Sequence, residues 1–317
     1  MADTASLTTT LKSACIAAKA QFEDNIFSKS PLLKQLWAKR WTTDGGSKVE
    51  IPVRWSKGTT TTRRDLYAEF TFAETDTVKT PELDWVSYQC TAKIPFEKNY
   101  MASGKHRVLN LLQIELSRME NEMHEYIATD MFSDASTASP VGITGMTAIC
   151  DTDNVYAGFD RASLASTHPW MGHVTSQASL VHTELASYID TCSVRGFKID
   201  QIWTTPAVKT LMRFAWGVNV QRFVGGGEMG IAPAEFTFQG IPVYSDDMIP
   251  AGYVLVLCTR TFKFAVPVGS DPFEIETFSD ESQYKGVKLR VAPMLQFMCT
   301  APYHNYLITD VAACATS

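Results

Sequence analysis

The sequence has no apolar run of the ~18 residues that a membrane-crossing helix needs, so no transmembrane helix is expected. Its opening, MADTASLTTTLKSAC, lacks a basic region followed by an apolar one and is not expected to act as a secretory signal. Cysteines are few and irregular. The seven (Cys15, Cys90, Cys150, Cys192, Cys258, Cys299 and Cys314) are odd in number and never spaced Cys-x-x-Cys. That argues against a disulfide framework or a zinc site, and for free thiols in a reducing compartment. Positive charge is also short: 28 Lys and Arg face 34 Asp and Glu, for a net charge of −6 and a pI near 5.6. A protein whose task is to grip nucleic acid is normally basic.

Catalytic signatures are equally scarce. No Gly-x-Ser-x-Gly elbow is present. GGGEMG (225–230) satisfies Gly-x-Gly-x-x-Gly literally, but a helix-like segment precedes it and a strand-like one follows. A dinucleotide loop needs the reverse order, with the pyrophosphate at a helix N-terminus, so a plain glycine loop is expected. HEYIA (124–128) starts like a zinc-protease helix, but Ala128 stands where the second ligand would be, and His124 is expected on the helix surface. His168, His173, His182 and Cys192 have no metal-ligand spacing. Asp246 and Asp247 would point to opposite faces of a strand and are expected in a solvated turn before Pro250. Within NVYAGFDRASLASTHPW (154–170), Asp160 and Arg161 set an acid beside a base. With no nucleophile, ligand cluster or nucleotide loop nearby, they are expected to be structural or intersubunit contacts. No catalytic residue, cofactor or metal is expected.

What is present is ordinary globular material with 45% hydrophobic and 20% charged residues in 317, about two domain-sized units. Residues 1–45 read as a partly helical arm. From Lys48 the period becomes two, with Val49, Ile51 and Val53 alternating with polar residues, then Leu66 to Phe72, then Val86 to Phe96. Residues 46–97 therefore predict a long β excursion whose polar tip, SKGTTTTRRD (56–65), carries Arg63 and Arg64. In 103–132, Val108, Leu112, Leu116, Met119, Met123 and Ile127 recur at steps of four and three, one face of a helix some 45 Å long. Glu115, Arg118 and Glu122 are spaced to pair along it. Then follow a helix at 178–195, a strand at 199–204, a helix at 206–223, strands at 235–245, 252–258 and 261–266, and a β-rich tail at 272–312. The fold class is α+β with an α/β-like insert.

Two stretches resemble the major capsid proteins of tailed bacteriophages, which have the Hong Kong 97-type fold. GITGMTAICDTDNVYAGFDRASLASTHPWMG is similar to the family segment with a glycine-bounded turn, Gly-Gly-Ile-Asp-Arg and then an aromatic. The matching residues here are Gly158, Asp160, Arg161 and Trp170, and Ala157 and Phe159 depart from the commonest form. DQIWTTPAVKTLM and FQGIPVYSDDMIPAGYVLVL resemble the family's strand–Thr-Pro–helix and Gly-x-Pro-Val-x-x-Asp-x-x-Pro-x-Gly patterns, at Thr205, Pro206, Gly240, Pro242, Val243, Asp246, Pro250 and Gly252.

The resemblance spans about 40–312 and implies a division of labour. Residues 1–45 would be the N-terminal arm and 46–97 the extended β-hairpin loop reaching over a neighbouring subunit. Residues 98–139 and 266–317 would form the peripheral domain, with the long spine helix, and 140–265 the axial domain. It implies self-association into hexamers and pentamers, an icosahedral shell around double-stranded DNA held without sequence-specific binding, and assembly in a bacterial cytoplasm. A separate scaffolding protein, a portal and a cement protein are the partners it brings to mind. An acidic balance suits a shell wall that weakly repels its packaged genome. A cellular encapsulin shell is the alternative on the same fold, and a cytosolic α/β enzyme with its site in 140–265 is the alternative of another class.

Overall fold

The computed structural model describes residues 30–44, 46–56, 63, 66, 77–95, 105–138, 140–216, 236–269, 273–280 and 286–315. Arg64, the GGGEMG stretch, the strand expected at 67–72 and most of the arm lie outside them. Five helices organise the described chain: α1 (Pro31–Ala38), α2 (Lys105–Phe132), α3 (Met146–Cys150), α4 (His182–Cys192) and α5 (Pro206–Ala215). Among these described helices none is long and apolar enough to cross a membrane.

Helices α1 and α5 start by the same local device. Ser30 and Thr205 each accept a backbone N–H with the side-chain oxygen, from Leu33 and Val208, and each is followed by proline, whose φ is already helical and whose missing N–H has no partner to lose. Helix α2 has the length its periodicity predicts, 28 residues or about 42 Å. Leu116, Met119, Met123 and Ile127 form its buried stripe, while Arg118 bridges Glu115 and Glu122 on the exposed side. His124, expected on the surface, is only 3% exposed. The stripe is wider than the step-of-four pattern implies, and His124 borders a groove shared with Pro31 and the 245–248 turn.

A six-stranded mixed sheet runs in the order Val174–Ser176, Tyr306–Thr309, Val254–Leu257, Gln201–Thr204, Ile241–Ser245, Phe236–Phe238. Its central strands are buried on both faces. Trp203, Leu255, Leu257 and Leu307 face one core, with α1, α2 and the aromatic residues Phe262, Phe264 and Phe297. Ile202, Val254, Val256 and Ile308 face a second core, closed by α4 and α5. The period of two thus makes this sheet a wall common to both cores.

The β stretch from 46 to 97 divides. Lys48–Glu50 pairs antiparallel with Glu82–Asp84, and Val53–Arg54 with Val78–Lys79, making the stem of a hairpin. Val86–Ser87 instead joins a four-stranded sheet with Met294–Cys299, Phe262–Pro267 and Trp41–Thr43, and Cys90–Pro95 joins Gly286–Val291 and Ile275–Asp280. Three other boundaries differ from the sequence expectation. The helix expected at 178 begins at His182, because Ser179–Val181 pairs in parallel with Ala313–Ala315. The helix expected to reach 223 stops at Ala215, with Trp216 as its C-cap. The strand expected over 235–245 is a hairpin around Gln239 and Gly240, whose φ values of 49° and 82° suit a tight two-residue turn.

Candidate functional site

Asp160, Arg161 and Trp170 fall in one compact knot at the base of the excursion hairpin. Val155–Tyr156 and Phe159–Asp160 form a two-strand hairpin closed by Ala157 and Gly158, at φ 51° and 83°. Positive φ at both turn positions is the geometry whose twist matches the strands. Gly158 takes it without strain. Ala157 stands where the resembling family segment has glycine, and a side chain there costs roughly 1–2 kcal/mol.

Arg161 is fully buried. Its Nη1 donates to the carbonyl oxygens of Ala148 (2.9 Å) and Asp151 (2.5 Å), at the C-terminal end of α3. Those carbonyls lack helical partners, so a cation is favourable there. The guanidinium carbon lies 4.6 Å from the centroid of the Tyr156 ring, a cation–π contact. Nε and Nη2 have no hydrogen-bond partner among the described residues. Burial pulls the guanidinium below its usual range, opposed by the Tyr156 hydroxyl and nearby thiols. Asp160 is not its partner: exposed, it accepts the Ala162 N–H on Oδ1 at 3.0 Å and pins the turn locally.

Around this cation the aromatic side chains interlock. Tyr156 stacks on Trp170 at 5.2 Å, and its hydroxyl accepts the Cys299 N–H at 2.8 Å. Burial pushes that hydroxyl well above the usual tyrosine range. Trp170 is 2% exposed, and its indole N–H donates to the Tyr156 carbonyl at 3.3 Å. Trp55, at the hairpin stem, packs against Phe159 (4.4 Å) and His168 (4.5 Å), and the Lys79 ammonium sits 4.7 Å from the Trp55 ring. The Glu82 N–H donates to the Ala157 carbonyl at 3.2 Å. Close approach lets the segment fold back: a Cβ at Gly172 would lie 2.3 Å from the Cys150 carbonyl oxygen. Tyr156, Trp55 and Lys79 were not singled out in the sequence, because only the fold sets the stem of one hairpin against the turn of another.

The remaining residues of interest do not gather. Arg63 is exposed, and Arg64 lies outside the described residues. Asp246, expected in solvent, is 7% exposed; its carboxylate accepts from the Ser30 hydroxyl and from the Met248 N–H (3.0 Å), while Asp247 is exposed. That polar contact ties the N-cap of α1 to the turn after the strand Ile241–Ser245, a pairing across 216 positions that no local pattern signals. His168 accepts the Trp170 N–H on Nδ1, and His173 stacks on Tyr306. Among the described residues no three His, Cys, Asp or Glu side chains are grouped to hold a metal ion. Burial lifts the thiols of Cys192 and Cys299 to about 12 and those of Cys90 and Cys314 to about 11, so none is a ready nucleophile. The arrangement is one of packing and buried polar contacts between segments.

No protein-family model and no curated protein matches the sequence. Solved structures do. The chain is similar to the capsid asymmetric unit of cyanophage A-1(L), at 14% identity and a TM-score of 0.69, over 90% of this chain and 94% of that one. A capsid of a native GTA particle matches at 10% identity and a TM-score of 0.62, over 89% and 90%. The holo-SrpI encapsulin complex from Synechococcus elongatus matches at 11% identity and a TM-score of 0.58, over 89% and 87%. At these identities the likeness speaks for the fold alone. With its excursion hairpin, long α2 and sheet shared between two cores, the chain has the Hong Kong 97-type capsid fold.

Proposed function

We propose that this chain is a major capsid protein that assembles with itself, as hexamers and pentamers, into the icosahedral head around the double-stranded DNA of a tailed bacteriophage. The observation that carries this reading is the likeness to a cyanophage capsid subunit over nine-tenths of both chains. The protein's place is then the virion shell, assembled in the cytoplasm of a bacterial host. A scaffolding protein and a portal are the expected partners, with a cement protein as a further candidate. The division into arm, extended loop, peripheral and axial domains is proposed with two exchanges that the strand pairings favour. Residues 86–95 go with the peripheral sheets, and 306–309 with the six-stranded sheet of the axial domain. In this reading Asp160, Arg161 and Trp170 set the angle at which the extended loop leaves the body. Arg63 and Arg64 contact acidic groups of a neighbouring copy.

The encapsulin likeness supports a second reading, a cellular shell on the same fold. Electron microscopy of the purified protein, across concentration and salt, tests both. Closed shells or capsomers are expected, and an Arg63→Ala, Arg64→Ala double variant is expected to assemble less at equal subunit folding. A strictly monomeric particle under every condition, scaffold included, overturns the shell reading. Nuclease-protected DNA inside particles taken from cells separates head from cellular compartment.

A further inference from the structure

Three of the chain's six histidines, His168, His173 and His304, lie along one seam, where residues 161–176 meet the 302–306 turn and the end of α4. The surroundings of two of them suit an uncharged ring. The His304 side chain is 3% exposed and lies flat on Phe197, with centroids 4.0 Å apart. Its Nδ1 is 2.8 Å from the Cys192 carbonyl oxygen. A carbonyl only accepts, so Nδ1 carries the hydrogen and Nε2 is the basic atom. The His173 ring lies parallel to Tyr306 at 5.5 Å and edge-on to Tyr303 at 4.6 Å. Its Nε2 is buried with no hydrogen-bond partner among the described residues. A proton added there would find no acceptor among the described residues.

The groups facing the pair reinforce this. From the sheet come Tyr306, hydrogen-bonded to Thr175, and from the 302–304 turn Tyr303. From α4 come Tyr188, stacked on Tyr306, and the Cys192 carbonyl. From the turn after α4 come Phe197 and Arg195, whose guanidinium lies 5.6 Å from the Tyr303 ring. Arg195 is positive and acts against charge on His304 and on His168, and Lys79 also acts against charge on His168. Glu184, the carboxylate on this flank of α4, is engaged by Gln177 and the Val181 N–H. No carboxylate among the described residues acts on either ring.

We propose that His173 and His304 form an acid-sensitive seam, in which two uncharged rings hold the 302–306 turn and the strand Val174–Ser176 against α4, and protonation of either ring loosens them. Burial lowers the proton affinity of both, with the neighbouring His304 adding to this at His173; at His304 the hydrogen bond to the Cys192 carbonyl opposes burial while Arg195 adds to the lowering, and the net direction is down. A histidine whose folded pKa lies below the unfolded value of 6.5 stabilises the seam above about that pH. The stabilisation is lost as pH falls from 6.5 towards the folded value, by up to about tenfold in the opening equilibrium per pH unit for each ring. The inference rests on this cluster and does not require the shell reading.

Hydrogen–deuterium exchange of the full chain at pH 7.5 and 5.5, corrected for the intrinsic pH dependence of exchange, reads the seam directly. Peptides from 161–176 and 300–309 are expected to lose about tenfold or more in protection on acidification, relative to the histidine-free strand Gly286–Val291. His173→Phe keeps an aromatic ring and removes the base, and His304→Asn keeps a donor for the Cys192 carbonyl. Each is expected to halve the acid response of the 300–309 peptides on a logarithmic scale, and the pair to abolish it there, while 161–176 keeps the part that His168 contributes. Wild-type peptides that respond no more than Gly286–Val291, or His173→Phe responding as strongly as wild type, overturn the proposal. So does either imidazole titrating at or above 6.5 in a histidine NMR titration of the wild type, a readout that needs no variant.

Discussion

The open flank of α2 and the buried turn at 155–161 each hold one arginine, by opposite means. Arg118 has two carboxylate partners, Glu115 and Glu122, and remains 46% exposed. Arg161 has no carboxylate partner among the described residues and is fully buried, held by two carbonyls and an aromatic face. Counting ion pairs would rank Arg118 as the important residue. Physical chemistry ranks them the other way. Water already solvates the Arg118 guanidinium, so its pairs add little. Arg161 has left water, and two carbonyls and the Tyr156 ring depend on its being there.

The largest effect is expected from Arg161→Ala. It strands the Ala148 and Asp151 carbonyls, removes the support of the Tyr156 ring and opens a cavity, for a loss of about 3–5 kcal/mol of subunit stability. Denaturant unfolding of the unassembled subunit reads it, and a loss under about 1 kcal/mol would remove the contrast between the two regions. A smaller effect of opposite sign is expected from Ala157→Gly. Relief of the positive φ outweighs the added freedom of the unfolded chain by about 0.5–1 kcal/mol, so the unfolding midpoint rises. The smallest is Arg118→Ala, at about 0.5 kcal/mol, and the difference from wild type should fade at about 1 M salt while that of Arg161→Ala persists. A salt-insensitive loss at Arg118 would place it at a desolvated contact and end the comparison in its present form.

Local regularity was readable where one element's own pattern decides the outcome. Helix α2 follows from a step of four and three, and its exposed ion pairs from i+3 and i+4 spacing. Asp160 and Arg161 were legible as a charged turn, but a sequence places them side by side and cannot say that one faces water and the other a core. His124 and Asp246 were misplaced for the same reason: burial depends on what arrives from elsewhere, here α1 and the turn at 245–248.

By itself, then, the amino-acid order determined the periodicities, the scarcity of catalytic and metal-binding patterns and the two stretches that resemble a capsid family. Tertiary structure alone decided that residues 46–97 split between a hairpin stem and two sheets, that Ser179–Val181 is a strand because Ala313–Ala315 lies beside it, and that Trp55, Tyr156, Arg161 and Trp170 share one knot. Strand pairing and burial are contacts between residues tens to hundreds of positions apart, and their energy exists only once the chain has brought both partners to the same place.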